Sequence, residues 1–393
     1  MMNKVLVLFN LTFLFIGITA SVIGPLVPII AQDLEIGFDV IGMFFLFGSL
    51  SSLAAVFVLG WISDRYNVKI TIIIATVILF TGLLLFGSIL NPITLISAII
   101  LLRSGRVLID SSLRTYIINQ KTNDHSRIFI RFAIFWCIGA ISGPLIVSTL
   151  LYLDLDYRYI FLILSVFFII ILVFLLIIFR AKKTVKGTRH AENKVYSFKM
   201  GKIFNTVTVI DFILLALMGG ILGGVSEWLT TYFLTFDLEV YFSSLFLSLY
   251  WVFTLAGLVI INRLLRVTNE ITLLLFGFVI ATVSLIFFNI IDVILVKVVL
   301  LAVQAMALSG GLSLVMAISA YENKKNSGVI MSFNLAAAVI GSIVFQPIFG
   351  YVAEHFYKDY IMYIILAASF LATCLIILLL KMANRKNIRL RIF

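Results

Sequence analysis

The sequence predicts an all-α polytopic membrane protein, with twelve transmembrane helices arranged as two six-helix bundles. Three observations carry that prediction. The first is composition: of 393 residues, 63% are Ala, Val, Ile, Leu, Met, Phe, Trp, Tyr or Cys, and only 12% are charged, against about 25% in soluble domains. A water-soluble fold with 36 phenylalanines would expose more apolar surface than solution tolerates, which excludes a soluble enzyme. The second is pattern. The apolar runs are continuous, unlike the roughly ten-residue alternating segments of a membrane β-barrel, and long enough for the about 20 residues that a helical span needs. The third is one interruption: residues 180–203 carry eight basic residues and a single acid, Glu192, and divide the runs six and six.

The runs cover 5–31, 40–61, 70–90, 93–118, 132–153 and 159–180 in the first half. In the second they cover 206–236, 241–262, 271–291, 293–319, 328–351 and 360–380. The first run is too long for a secretory-signal core and is read as a retained helix. The predicted organisation is a bundle at 1–180, a basic linker at 181–203, and a second bundle at 204–393 ending in a basic tail. With the N-terminus on the cytoplasmic side, all but five of the 29 basic residues are cytoplasmic: Arg158, Lys297 and Lys358 lie outside, and Arg103 and Arg106 lie within the membrane. This positive-inside pattern places both termini in the cytoplasm and the chain in a cytoplasmic (inner or plasma) membrane. The net charge of +11 is therefore an orientation signal, with anionic-lipid contact secondary, and implies no nucleic acid.

Catalytic constellations are not evident. The three histidines, His125, His190 and His355, fall in loops, and Cys137 and Cys374 fall inside apolar runs, implying neither a disulfide framework nor a metal site. The expectation is no enzyme, no cofactor and no metal.

After the second run the chain reads Gly60-Trp61-Ile62-Ser63-Asp64-Arg65-Tyr66-Asn67-Val68-Lys69. This resembles the signature between helices 2 and 3 of the major facilitator superfamily, in which a glycine, an Asp-Arg pair and a later basic residue form a gating loop. Gly60, Asp64, Arg65 and Lys69 are the residues so implied. Asp64 and Arg65 suit charge-assisted bonds to a neighbouring helix end. A degenerate echo follows the eighth run, where Gly257 precedes Asn262, Arg263 and Arg266. In helix 5, Gly139, Gly143 and Pro144 resemble the superfamily's Gly-Pro element, although Val147 and Ser148 stand where its antiporter form has glycines. Short strings, Ile23 to Pro28, Glu227 to Tyr232 and Leu247 to Trp251, resemble the sugar:proton symporter branch that includes the fucose permeases.

Ionisable residues inside spans cost at least about 2.5 kcal/mol at mid-helix and default to function. Helix 4 concentrates them. Arg103 lies about 15 Å into the membrane at 1.5 Å per residue, and Arg103, Arg106, Asp110 and Arg114 share one helical face. Asp110 is a proton-coupling candidate or, one turn from Arg106 and from Arg114, a structural counter-ion. In helix 7, Glu227 follows Gly219 and Gly223 on one face, the glycines suiting close helix packing, and is the second proton-coupling candidate, or else an extracellular gate or an interfacial polar residue. Asp211 and Lys297 lie near helix ends and read as snorkelling or orienting groups. Arg103, Arg106, Asn10, Trp136, Trp251, Gln304 and Asn334 are the substrate-binding candidates, with Tyr250 and Gln346 also within reach, since amides, charged forks and aromatic faces suit a sugar-sized ligand.

The resemblance implies a secondary transporter working by alternating access, and the expectation is proton-coupled uptake of a sugar-like solute by a monomer. The alternatives are a proton-coupled exporter of drugs or amphiphiles, a glycolipid flippase, and a sensor without net transport.

Overall fold

The computed structural model describes residues 2–65, 68–118, 125–181, 206–322 and 327–385, and the predicted basic linker lies almost wholly outside them. Among the described residues the chain is helical and contains no strand. Its α-helices are α1 (Met2–Ser21), α2 (Ile23–Asp33), α3 (Phe38–Arg65), α4 (Val68–Gly87), α5 (Pro92–Ile118), α6 (His125–Tyr152) and α7 (Arg158–Ala181), then α8 (Thr206–Phe233), α9 (Val240–Leu264), α10 (Glu270–Ile290), α11 (Ile294–Leu308), α12 (Gly311–Glu322), α13 (Ser327–His355) and α14 (Tyr360–Arg385). Among the described residues eleven helical stretches are long and apolar enough to cross a membrane, or twelve with the bent α1–α2 pair counted as one span.

Two predicted spans are broken. The first run is α1 and α2, bent by 43° next to the Gly24-Pro25 pair, where proline removes a helical hydrogen bond. The tenth is α11 and α12, interrupted at Ser309-Gly310.

The chain forms two compact units. One comprises Met1–Val22, Gln32–Ile36 and Phe44–Met200, the other Ile23–Ala31, Gly37–Met43 and Gly201–Phe393. Within the first, α1 packs on α6 and α4 on both α5 and α7; within the second, α8 packs on α13 and α10 on both α11 and α14. These three pairings correspond between the units.

The repeat extends to single residues. In the first unit Gly17 meets the backbone of Trp136, and Gly139 meets the Leu14 carbonyl and the Ile18 amide. In the second, Gly219 meets the backbone of Ala338, and Gly341 meets the Ala216 carbonyl and the Gly220 amide. One constant residue offset relates all of these: Gly17 to Gly219, Leu14 to Ala216, Ile18 to Gly220, Trp136 to Ala338 and Gly139 to Gly341. Lipid tails are as apolar as leucine, so helices in a membrane associate through close backbone packing, which small residues permit. A Cβ at any of these four glycines would overlap main-chain atoms of the partner helix.

Candidate functional site

The charged face of α5 divides between neighbours in the first unit. Arg103 is buried; its guanidinium donates to Ser49 Oγ at 2.8 Å and lies 5.0 Å from the centroid of Phe45, both on α3. Gly48 makes room for that arm, because a Cβ there would meet Arg103 Cδ at 2.6 Å. Two turns on, Asp110 accepts both Nε and Nη2 of Arg114 at 3.0 Å. The Arg114 plane also lies over Phe13 of α1 and Phe129 of α6, at 5.0 and 5.6 Å. The two forks of this helix thus have different settings: Arg103 rests on a hydroxyl and a ring, whereas Arg114 is engaged by a carboxylate in a bidentate pair, the stronger arrangement. Arg106 lies between them, partly buried. Ser49 and Phe45 were not legible as partners, since they are ordinary members of an apolar run.

The second unit is built from amides and hydroxyls. Gln304 on α11 is fully buried, and neither of its amide atoms has a hydrogen-bond partner. Asn334 on α13 is equally enclosed, with Oδ1 accepting from Ser319 Oγ at 3.4 Å and Nδ2 without an acceptor. Gln346 Oε1 accepts from Trp228 Nε1 at 2.7 Å. Its Nε2 sits beside Gly223, one α8 turn from the buried Glu227. Trp251 on α9 is buried edge-on to Tyr250. Trp136 is partly buried, and Asn10 Oδ1 is enclosed without a partner. Asp110 and Glu227, the two coupling candidates, belong to different units.

The packing glycines of the sequence reading occupy real crossings. Gly139 lies at the α1–α6 contact and Gly219 at the α8–α13 contact; Gly143 abuts Ser21, one residue before Pro144. Of the gating segment, α3 runs through Gly60 and Asp64 to Arg65, and Tyr66 and Asn67 lie outside the described residues. Lys69, early in α4, reaches the Phe179 carbonyl at 3.5 Å.

Two residues expected to snorkel are instead enclosed. Asp211 is 1% exposed and Lys297 2%. The Lys297 ammonium donates to the Phe288 carbonyl at 2.8 Å and lies 4.9, 5.4 and 5.8 Å from the rings of Phe288, Phe236 and Tyr232. Asp292 Oδ1 stands 3.2 Å away. The last turn of α10 leaves a carbonyl in need of a donor, and a cation within a ring of aromatic faces is held there electrostatically.

The start of α3 holds contacts that its own sequence does not announce. There Glu354 Oε2 accepts from the Phe38 amide at 2.7 Å, and His355 Nε2 stands 3.7 Å from Asp39 Oδ2. Acids near a predicted turn were the available signal, but their partner is more than 300 residues away.

Polytopic helices, a repeated six-helix scheme and buried polar groups in each unit define a membrane carrier. The chain belongs to the Major Facilitator Superfamily, whose family model matches residues 9–337. It is a secondary transporter, not an enzyme. A search by sequence among curated proteins finds no match. Among solved structures, a variant of the nucleoside transporter NupG superposes with a TM-score of 0.79 at 16% identity, covering 95% of this chain and 98% of that one. A bacterial homologue of the human lysosomal transporter Spinster, inward-facing and unoccupied, gives 0.78 at 12% identity with 96% of each chain covered. A D-xylose-proton symporter gives 0.73 at 16% identity, over 95% of this chain and 97% of that one. At these identities the likeness is one of fold.

Proposed function

We propose that this transporter takes up a small, neutral, sugar-like solute across the cytoplasmic membrane, as a monomer with both termini cytoplasmic, and couples uptake to protons. The observation that carries the solute reading is Gln304: a primary amide fully buried in a membrane helix with neither polar atom bonded. Such a group costs about 1–3 kcal/mol, and a ligand offering both a donor and an acceptor, as a hydroxyl does, offsets that cost. Within the same unit, Asn334 and Trp251 supply a further hydrogen bond and a stacking surface in this reading. Asp110 and Glu227 are the coupling carboxylates in this reading. Carriers of the same fold include one named a nucleoside transporter and one named a D-xylose-proton symporter. An anionic lipid headgroup is less well served, because the Arg114 fork is already engaged by Asp110.

The test is lumenal pH in sealed proteoliposomes while D-xylose, L-fucose and uridine are added outside in turn. Solute-dependent acidification that is lost in Asp110→Asn or Glu227→Gln supports proton symport. Solute flux with no proton movement removes the coupling, and proton movement only with cationic drugs, opposite to their flux, makes the protein an exporter.

A further inference from the structure

Residues Gly37–Met43, which hold the start of α3, belong to the second unit, and the helix continues in the first from Phe44. That short stretch is fastened to the end of α13 in several ways. Gly42 and Gly350 bring the two backbones into contact, since a Cβ on either would meet the other's main chain. The Phe38 amide, one of the donors that a helix start leaves without an intrahelical partner, donates to Glu354 Oε2 at 2.7 Å. The Phe38 ring lies 6.3 Å from that of Trp228 and 5.2 Å from the Lys358 ammonium. Asp39 Oδ1 accepts from the Val40 amide at 2.8 Å, and Asp39 Oδ2 stands 3.7 Å from His355 Nε2.

Backbone contact holds this tip at any pH, but its charges do not. A Cβ at Gly37 would meet both the Asp39 and the Glu354 carboxyl groups, so two acids crowd one small space, and like charges that close repel. The cations beside them are Lys358, over the Phe38 ring, and His355, facing Asp39. An ammonium keeps its charge between pH 5 and 8, whereas an imidazole gains one as pH falls through that interval. Protonated His355 turns the approach to Asp39 into an ion pair and offsets the repulsion between the acids; neutral His355 does neither. On its own helix the imidazole also lies 4.6 Å from the Tyr351 ring. The other charged or titratable groups at this end of the elements packed on α13 are Glu35 before α3, Asp237 and Glu239 after α8, and Asp359 and Tyr360 at the start of α14. Carboxylates and phenols of ordinary pKa hold one charge state across the same interval. His355 and Asp39 are each more than one-third exposed, so the pair stays in contact with the solution whose pH it answers.

We propose that the start of α3 is a pH-sensitive latch on the end of α13, fastened when His355 is protonated and paired with Asp39, and loosened when His355 is neutral. In the orientation proposed above this end faces outside, so external pH sets how readily that mouth opens during alternating access. The test places spin labels at Met43→Cys and Tyr357→Cys, both exposed and neither among the contacts just described, in a background of Cys137→Ala and Cys374→Ala. Their separation is read by double electron–electron resonance in nanodiscs at pH 5 and pH 8, the interval over which imidazoles change charge. The ratio of near to far separations is expected to be about threefold higher at pH 5, the size of effect an exposed ion pair supports. His355→Gln and Asp39→Asn should each remove the pH dependence, the asparagine keeping an oxygen for the Val40 amide. Glu354→Ala should lower the near population at both pH values and leave the pH dependence in place. A wild-type ratio that does not change with pH overturns the proposal, and so does a pH dependence that survives in His355→Gln or in Asp39→Asn. An unchanged ratio in Glu354→Ala overturns it as well, because the tip is then held by backbone contact alone. The measurement uses no solute and no proton gradient, so its failure is distinct from failure of the uptake reading.

Discussion

The two units solve one packing problem with different chemistry. The first carries charges along one helix, α5, and engages them with an internal ion pair and three aromatic faces: Asp110 with Arg114 over Phe13 and Phe129, and Arg103 over Phe45. The second spreads amides, hydroxyls and two carboxylates over α8, α11, α12 and α13, and leaves several of their hydrogen-bonding atoms unmatched. The glycine crossings are common to both, although the first unit breaks its first span at α1–α2 and the second its fourth at α11–α12. A repeated scaffold fixes where helices meet, and divergence between the copies marks where function has been added.

The largest effect should come from breaking what the units share. Gly139→Leu and Gly341→Leu each force a side chain into partner backbone, beyond the about 1–3 kcal/mol of ordinary overpacking. Both should abolish monodisperse protein in size-exclusion chromatography, and to a similar extent. A folded Gly341→Leu would mean that the second crossing is looser than the first.

Next is Gln304→Leu, which sharpens the contrast in chemistry. Solute uptake should fall at least tenfold, while the melting temperature holds or rises, because an unpartnered buried amide has been replaced by hydrocarbon. A drop in stability with uptake intact would make Gln304 structural.

Lys297→Met should lower stability by about 2 kcal/mol through loss of the ammonium from its aromatic enclosure and from the Phe288 carbonyl, measured as a lowered detergent melting temperature. Arg114→Ala should cost less, about 1 kcal/mol, because that pair is one-third exposed and screened by solvent. If Arg114→Ala proves the more damaging, the first unit depends on its charges more than its exposure suggests.

Much of this was legible along the chain. Span number followed from apolar length, and the buried status of Arg103, Glu227, Gln304 and Asn334 followed from the cost of polar groups in hydrocarbon. The Gly219 and Gly139 contacts were legible because small residues at i, i+4 spacing suit close helix approach. Other features were not. The division of the first span into α1 and α2 was hidden because the apolar run continues through the bend. Asp211 and Lys297 were misplaced because nearness to a helix end implies access to water only if no neighbouring helix covers that end. The choice of Arg114 over Arg106 as the partner of Asp110 could not be made from spacing, since both lie one turn away.

By itself, then, the sequence determined the class of protein, the number of spans and the residues too costly to be idle, because hydrophobic length and charge act locally and sum along the chain. Only the tertiary structure decided which of those residues are paired and which enclosed, and that the glycine crossings of one unit recur in the other. Partners such as Trp228 with Gln346, or Phe38 with Glu354, are separated by more than a hundred residues, and no local period reports a contact that exists only once the helices have packed.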